Sequence, residues 1–370
     1  MIGESSESPD HKDHASMGEV RNSEDCRDRL SELPDCVLLH IMKFLDTKHA
    51  VRTNVLSKQW NNVWKCLTSL SFRHSHFNTV TNYNKFVSWV LSNRDGSISL
   101  HDLSFMASGS TAPKLMTNVM EHVMLHNILH LTIYIHLNNS RVIEHYSVPS
   151  VFSCPSLTFL RLCINSYDHA LELPKSLHLP ALKTLYLTNV NFTAQDNDCA
   201  EPFSTCNMLS RLVLKGCSLG NDAKVLCISN SSLSSLKLKI FGEEKYEIAL
   251  STPNLTSLTV TSCLSSHRLS FMCNLSFLEE VKIDISFGMY YSVIVSWLQL
   301  LTNVKILTLS SYILQMMLKI LSNLATMKNQ PPCFARLETL KVKIEPGRKI
   351  DEEELNRIVE YLRPVWVWHV

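Results

Sequence analysis

Apolar residues at helical spacing mark the first ordered part of the chain. The stretch RLSELPDCVLLHIMKFL predicts a helix from Pro34 to Leu45, with the proline in the first turn, where its missing N–H is tolerated. A surface helix usually buries an apolar arc of roughly 100°. This helix has a wider one, made of Val37, Leu38, Leu39, Ile41, Met42, Phe44 and Leu45. The apolar side chains that lie outside a usual arc predict that a second surface, besides the core, covers them.

Two further short helices are predicted directly after the first. One runs over Lys48–Asn54 with Thr47 as its cap, and the other follows Ser57, a good N-cap residue. In the last helix, apolar residues fall at positions i, i+3, i+4 and i+7: Trp60, Val63, Trp64 and Leu67. A block of about 40 residues rarely buries enough surface to be stable alone without a metal, a disulfide or a partner. Its sequence suggests neither a metal cluster nor a cysteine framework, which leaves a partner.

The whole block resembles the F-box motif, in its opening Leu-Pro pair, the IMKFL helix, the segment VRTNVLSKQW and the second tryptophan. The resemblance implies binding to the adaptor subunit of an SCF-type cullin–RING ubiquitin ligase and, through the adaptor, to cullin. The adaptor-binding residues implied by position are Leu33, Pro34, Leu38, Ile41, Leu45, Val51, Leu56 and Trp60. The alternative is an ordinary helical subdomain that packs on the rest of the chain.

A second pattern, L-x-x-L-x-L followed by polar residues, recurs from about residue 98 to residue 344. Eight clear copies begin at Leu157, Leu182, Leu209, Leu233, Leu255, Leu278, Val304 and Leu337, and weaker ones at Leu100 and Ile128. Their spacing is typical of leucine-rich repeats, which run about 20–29 residues. The last two apolar residues of each copy lie two apart on a predicted strand and point to one side. One unit cannot bury that side alone, so the units must stack.

These irregular repeats resemble the leucine-rich region of plant-type F-box proteins. The resemblance implies an α/β fold: a three-helix F-box, then a leucine-rich-repeat solenoid (a horseshoe), then a C-terminal capping helix. The expected domains are a disordered tail at 1–27, the F-box at 28–69, the solenoid at 70–344 and a cap at 345–370 that resembles the family's FBD segment only in part.

Two helices are predicted near the C-terminus. The long last interval between repeats holds the apolar run ILQMMLKILSNLA, which predicts a helical insert at 313–325. The capping helix follows the acidic run Asp351–Glu354, which suits a helix N-terminus, and Pro364 ends it. One face of that helix carries Leu355, Ile358, Val359 and Leu362.

Residues that alternate with the core leucines face outward, and this face carries eight basic side chains against the acidic Glu280 and Asp284. We expect it to bind an acidic or phosphorylated segment of a target protein. The candidate target-binding residues are Arg161, Tyr186, Arg211, Lys215, Lys237, Lys239 and Lys282. The alternative is that lysine only keeps an exposed sheet soluble.

Net charge and the distribution of apolar residues narrow the classes of partner and of cellular location that remain. The formal net charge is +1, which favours neither nucleic acid nor a membrane surface as a partner. No stretch of about 20 apolar residues predicts a membrane span. The polar, acidic first 20 residues do not resemble a signal peptide. We therefore expect an intracellular protein of the nucleus, the cytoplasm or both, with reduced cysteines.

No residue pattern predicts catalysis, a cofactor or a metal site. His122, His126 and His130 share helical spacing, but His130 falls in a predicted strand, so a solvated face is the better interpretation. His74 and His76 are expected on the solvent side of the first strand. Six cysteines near the repeats are expected to be small buried residues: Cys154, Cys163, Cys206, Cys217, Cys227 and Cys263.

The expected function is therefore a non-catalytic, substrate-recruiting subunit of a ubiquitin ligase. The main alternative is a leucine-rich-repeat scaffold that is not coupled to ubiquitination. An intracellular hydrolase is a distant option because no nucleophile motif occurs. A small-molecule co-ligand, as in some relatives, has no visible motif.

Overall fold

A computed structural model describes residues 32–108, 113–136, 149–165, 171–195, 198–241, 246–263, 268–286, 291–322, 334–344 and 351–362. The predicted tail at 1–27 and the predicted stop at Pro364 lie outside these residues. The helices are α1 Asp35–Met42, α2 Thr47–Arg52, α3 Val80–Asn93, α4 Pro113–Leu125, α5 Tyr291–Leu300, α6 Ser311–Ser322 and α7 Glu352–Leu362. Short 3-10 helices span Thr53–Val55, Val63–Cys66, His74–His76 and Pro149–Ser153. None of the described helices is long and apolar enough to cross a lipid bilayer.

The main sheet has 11 parallel strands, whose order across the sheet follows their order along the chain. They are β1 Ser69–Phe72, β2 Asp102–Ser108, β3 His130–His136, β4 Phe159–Asn165, β6 Thr184–Thr188, β9 Arg211–Lys215, β12 Ser235–Phe241, β14 Ser257–Cys263, β16 Glu280–Ile285, β17 Ile306–Ser310 and β18 Thr339–Lys343. Ten of them begin inside the predicted repeat copies. The predicted strands and the α/β class are therefore confirmed.

The register of the main sheet explains the repeat. Leu185 of β6 pairs with Leu212 of β9, and Leu212 pairs with Leu236 of β12. All three are buried, while the residues between them on each strand face outward. Because side chains alternate along a strand, equivalent leucines form rows inside and the intervening residues form rows outside. We call this second side the outer face.

Two smaller parallel sheets were not predicted. One contains β5 Leu171–Glu172, β7 Val190–Phe192 and β10 Ser218–Leu219, and the other β8 Cys199–Ala200, β11 Val225–Ser229, β13 Glu247–Ser251 and β15 Arg268–Phe271. Leu226 of β11 and Ile248 of β13 line one small cavity together with Leu214 and Leu238 of the main sheet. The core therefore lies between the leucine rows and these shorter strands.

The prediction of a third α-helix after Ser57 is wrong. Asn62 has φ 71°, in the left-handed region, and only a 3-10 turn follows it at Val63–Cys66. A left-handed residue ends a right-handed helix, so the chain turns here instead of continuing. The four apolar residues that suggested the helix are nevertheless all buried: Trp60, Val63, Trp64 and Leu67. The spacing thus predicted burial correctly and the element wrongly.

The cap of α2 also differs from the prediction. Asp46, not Thr47, is the N-cap: its Oδ1 accepts a hydrogen bond from the His49 backbone N–H at 3.0 Å. The Thr47 hydroxyl instead accepts a bond of 2.8 Å from the backbone N–H of Ser71 in β1. This contact joins the N-terminal block (residues 32–67) to the first strand of the sheet.

A buried arginine fixes the other end of the N-terminal block. The guanidinium of Arg94, just past α3, donates to the carbonyl oxygens of Leu67 at 3.2 Å and Ile98 at 2.8 Å. Trp64 packs against Trp89 of α3, with ring centroids 5.1 Å apart. The core of the block is therefore continuous with that of the sheet.

The predicted C-terminal helices are present. The insert forms α6, although residues 323–325 lie outside the described ranges. Asp351 caps α7 by accepting from the Glu354 N–H at 2.7 Å, while the Glu354 carboxylate lies 3.3 Å from the Asp351 N–H, a capping box. Ile358 and Leu362 are buried. The Leu362 carbonyl accepts a bond from Phe334 N–H, which brings α7 to the end of the sheet.

Candidate functional site

The N-terminal block presents a set of exposed apolar side chains. Phe44 is 78% exposed, Val55 87% and Leu56 55%, and Val37 and Leu45 are also exposed. All five lie within residues 37–56 and so belong to the N-terminal block. Single exposed apolar residues are common, but a concentration of this kind marks an interaction surface. We call these five residues the apolar patch.

Only some of the predicted adaptor-binding residues can reach a partner. Pro34, Leu45 and Leu56 are exposed, and Leu33, Ile41 and Val51 are partly buried. The other two are buried within the chain itself: Leu38 is 0% exposed and Trp60 3%. Both fill the core under the patch and offer no surface.

Three exposed members of the patch were not among the predicted adaptor-binding residues: Val37, Phe44 and Val55. Val37 and Phe44 belong to the wide apolar arc of the first helix, so a signal for them was present. Val55 lies in the 3-10 turn Thr53–Val55, where helical periodicity gives no information about direction.

The outer face begins with an aromatic row. The rings of His130, Phe159 and Tyr186, on the neighbouring strands β3, β4 and β6, follow one another at centroid distances of 6.0 and 5.6 Å. The Arg161 guanidinium lies 4.4 Å from the Tyr186 ring centroid, a cation–π contact. Arg161 and Tyr186 are therefore brought together as one surface unit.

Basic residues occupy the centre of the outer face. Lys215 of β9 pairs in register with Lys239 of β12. Two like charges therefore lie on adjacent strands, whose backbones are about 4.8 Å apart. Lys237 lies on the same face two residues earlier, and Arg211 begins β9. Within the described ranges, no acidic side chain forms an ion pair with these four residues. Uncompensated like charges on adjacent strands repel each other and favour an anionic ligand.

Charge compensation is found further along the sheet. Lys343 of β18 forms an ion pair of 2.7 Å with the buried Asp284 of β16. One predicted outward residue, Asp284, is thus largely covered, and one of the eight basic residues is neutralised. Lys282 lies on β16, two residues before Asp284, and stays on the partly exposed side. The basic surface is therefore concentrated on β9 and β12.

The histidine predictions fare differently. His130 begins β3, as predicted, and its Nδ1 lies 2.6 Å from the Asp102 carboxylate. His122 is partly buried; burial lowers its pKa, and its ring lies 4.7 Å from that of His126. The predicted solvated histidine face is therefore only partly exposed, because His126 is also partly buried while His130 is exposed.

The prediction for His74 and His76 is wrong. They form a 3-10 turn after β1 and do not lie on the strand. The turn brings His76 to Asp46 and His49: the Asp46 Oδ2 lies 2.7 Å from His49 Nδ1 and 3.1 Å from His76 Nδ1. Burial acts to raise the pKa of the Asp46 carboxyl. Hydrogen bonds from His49 and the electrostatic attraction of the two nearby imidazoles outweigh it, so the pKa is lowered. The sequence did not reveal this cluster because His76 lies 30 residues after Asp46.

The prediction of buried cysteines is confirmed only in part. Cys154 and Cys206 are buried, and Cys163 and Cys217 are partly buried. Cys227 forms a disulfide with Cys199, which contradicts the expectation that all cysteines are reduced. Their strands β11 and β8 are neighbours in one sheet, which brings the two Cα atoms to 6.5 Å. Cys263 ends β14.

Comparison with known proteins places these features in a family. Residues 30–71 match the F-box domain, and residues 116–342 match the family described as "FBD-associated F-box protein At5g56370, LRR repeats". The second match covers more than half of the 370 residues.

Similar curated proteins come from Arabidopsis thaliana. F-box/LRR-repeat protein At4g14103 is 29% identical over 70% of this chain and 68% of its own length. FBD-associated F-box protein At4g13985 is 26% identical over 82% of this chain and 69% of its own length. A further FBD-associated F-box protein is 30% identical over 60% of this chain, but the match spans only 46% of that relative. The chain belongs to the F-box/leucine-rich-repeat family that includes the FBD-associated F-box proteins.

Proposed function

We propose that this chain is the substrate-recognition subunit of an SCF-type cullin–RING ubiquitin ligase. The observation that carries the proposal is the apolar patch, exposed on a block that matches the F-box domain. The chain would act by position: one end binds the adaptor, and the other holds a target near the ubiquitin-charged enzyme. Ubiquitin transfer would be accelerated because the target is held at a high effective concentration near that enzyme. No residue of this chain therefore needs to make or break a bond.

The adaptor would cover the apolar patch together with the Leu33-Pro34 pair. Gln59 supports that pair, because its side-chain amide donates to the Leu33 carbonyl at 2.5 Å. The buried Leu38 and Trp60 would contribute indirectly, by holding α1 and the following turns in place. Burying large apolar side chains such as Phe44 and Leu56 contributes roughly 1.5–3 kcal/mol each.

The repeats would form a leucine-rich-repeat solenoid that presents the outer face to a target. The parallel strands in chain order and the inner leucine rows support this shape. We assign the F-box to residues 28–69, the solenoid to 70–344 and an FBD-like cap to 345–370, with α7 as its described helix. The basic centre on β9 and β12 favours an acidic or phosphorylated segment of the target.

The adaptor half of the proposal is tested by co-purification from plant cells. The native chain should bring down the adaptor and cullin, and Phe44→Asp/Leu56→Asp should lose both. The matched control is Met272→Asp/Phe277→Asp, which changes two equally exposed apolar residues outside the patch and should retain both partners. Equal recovery with both double variants would contradict the proposal.

The target half needs a separate variant. Lys215→Glu/Lys237→Glu/Lys239→Glu reverses the basic centre and leaves the N-terminal block unchanged. We expect the adaptor to be retained while target proteins disappear from quantitative mass spectrometry of the co-purified material. Unchanged targets would mean that these lysines serve only the solubility of the sheet.

The second candidate function is a repeat scaffold that binds partners without passing them to ubiquitination. The outer face suits both functions equally. Depletion of the chain separates them, because targets of a ligase subunit accumulate and partners of a scaffold do not.

A further inference from the structure

We propose that Asp46, His49 and His76 form a binding site for a divalent transition-metal ion, with Zn²⁺ as the best match. Their candidate ligand atoms, one carboxylate oxygen and two imidazole nitrogens, all lie within 4.8 Å of one another. Zinc sites commonly combine such oxygen and nitrogen donors, and three protein ligands leave a fourth position for water. This site goes beyond the proposed ligase function and does not depend on it.

The distances are close to those that zinc requires. Zn–N and Zn–O bonds of about 2.0–2.2 Å in a tetrahedron place neighbouring ligand atoms roughly 3.3–3.5 Å apart. Here Asp46 Oδ2 lies 2.7 Å from His49 Nδ1 and 3.1 Å from His76 Nδ1. A metal would therefore need to increase each of these two oxygen–nitrogen distances by less than 1 Å. The His49 side chain is half exposed, so a water molecule has access to the site.

His76 supplies the second observation. Its Nδ1 atom is shielded from solvent and forms no hydrogen bond, although the Asp46 carboxylate is only 3.1 Å away. A buried polar atom without a hydrogen bond is uncommon and needs an explanation. A metal ion bound by both the nitrogen and the carboxylate would give this atom a partner.

The backbone around the cluster is already held. The Lys48 ammonium donates to the His76 carbonyl and lies 4.3 Å from the Phe77 ring centroid. Asp46 uses its Oδ1 atom to cap α2, which leaves Oδ2 directed at the two histidines. Preorganised ligands of this kind lose little conformational freedom when an ion binds.

The position of the site suggests what the ion does. Asp46 and His49 belong to the N-terminal block, whereas His76 follows β1 of the sheet. Val51, a predicted adaptor-binding residue, lies in the same helix as His49. A metal bound by all three would cross-link the block to the sheet edge. It would fix the orientation of the apolar patch relative to the outer face.

The experiment measures zinc binding to the full chain by equilibrium dialysis against Zn²⁺ alone, followed by elemental analysis. The chain has 16 histidines, so the comparison matters more than the total. The test variant is His49→Gln/His76→Gln. The matched control is His101→Gln/His178→Gln, which removes two exposed histidines from other parts of the chain.

We expect the native chain and the control to bind one equivalent of Zn²⁺ more than the test variant. Zn²⁺ should also raise the unfolding temperature of the native chain and the control, and not that of the test variant, whose circular dichroism without metal should be native. Co²⁺ in place of Zn²⁺ should give visible absorption bands that only the test variant lacks. Equal zinc content in all three proteins would overturn the proposal.

Discussion

Asn230, between β11 and β12, is a buried polar residue whose contribution to the repeat stack can be measured. Its side-chain amide donates to the carbonyl oxygens of Phe203 at 3.1 Å and Cys206 at 2.9 Å. Its amide oxygen accepts from the Ser232 N–H at 3.0 Å. Asn230 thus joins the turn of its own repeat to that of the preceding one. Replacement by alanine removes all three hydrogen bonds at once.

The expected cost follows from these contacts. A hydrogen bond contributes about 0.5–1.5 kcal/mol net, so Asn230→Ala should lower the free energy of unfolding by about 2–4 kcal/mol. Asn230→Asp should cost more at neutral pH, because a carboxylate oxygen would face two carbonyl oxygens in place of a donor. The control is Asn254→Ala, an exposed residue with one bond of 2.8 Å to the Ser231 carbonyl, which should cost about 0.5 kcal/mol or less.

The assay is urea unfolding followed by far-ultraviolet circular dichroism on all three variants. A smaller effect for Asn230→Ala than for Asn254→Ala would refute the reasoning. So would an aspartate variant as stable as the native chain, because the side chain then could not be acting as a donor. Either result would mean that the repeats are held by leucine packing alone.

Two further predictions concern a buried thiol and a helix cap. Burial raises the pKa of the Cys206 thiol to about 11, so at pH 8 iodoacetamide should modify it far more slowly than the exposed Cys36, as read by mass spectrometry. Its rate should rise about tenfold per pH unit up to that pKa, because the thiolate is the reactive form. Asp351→Ala breaks the capping box with Glu354 and should cost about 1 kcal/mol, visible as faster amide hydrogen exchange in α7.

The repeat strands could be predicted because their signal is local and repeated. Each copy places apolar residues at fixed positions, and a parallel register then carries Leu185, Leu212 and Leu236 into one row. The short strands of the smaller sheets escaped prediction. β8 and β10 have 2 residues each, too few for an alternation to be visible.

The candidate site could be predicted only where contacts are close in sequence. The apolar arc of the first helix indicated a binding surface, but not that Leu38 would point inward and Phe44 outward. The left-handed backbone of Asn62 broke a helix that the apolar spacing alone supported. The cluster of Asp46 with His76 depends on how the chain returns after β1, which no local pattern records.

The most direct test of the central claim is a titration of the purified ligase adaptor subunit into the purified chain, followed by calorimetry. The proposal predicts a one-to-one complex for the native chain, and a complex at least tenfold weaker for Leu33→Ala/Pro34→Ala with unchanged circular dichroism. Absence of binding by a well-folded native chain would contradict it. The apolar patch would then serve another partner, and the chain would be a repeat scaffold outside the ubiquitin pathway.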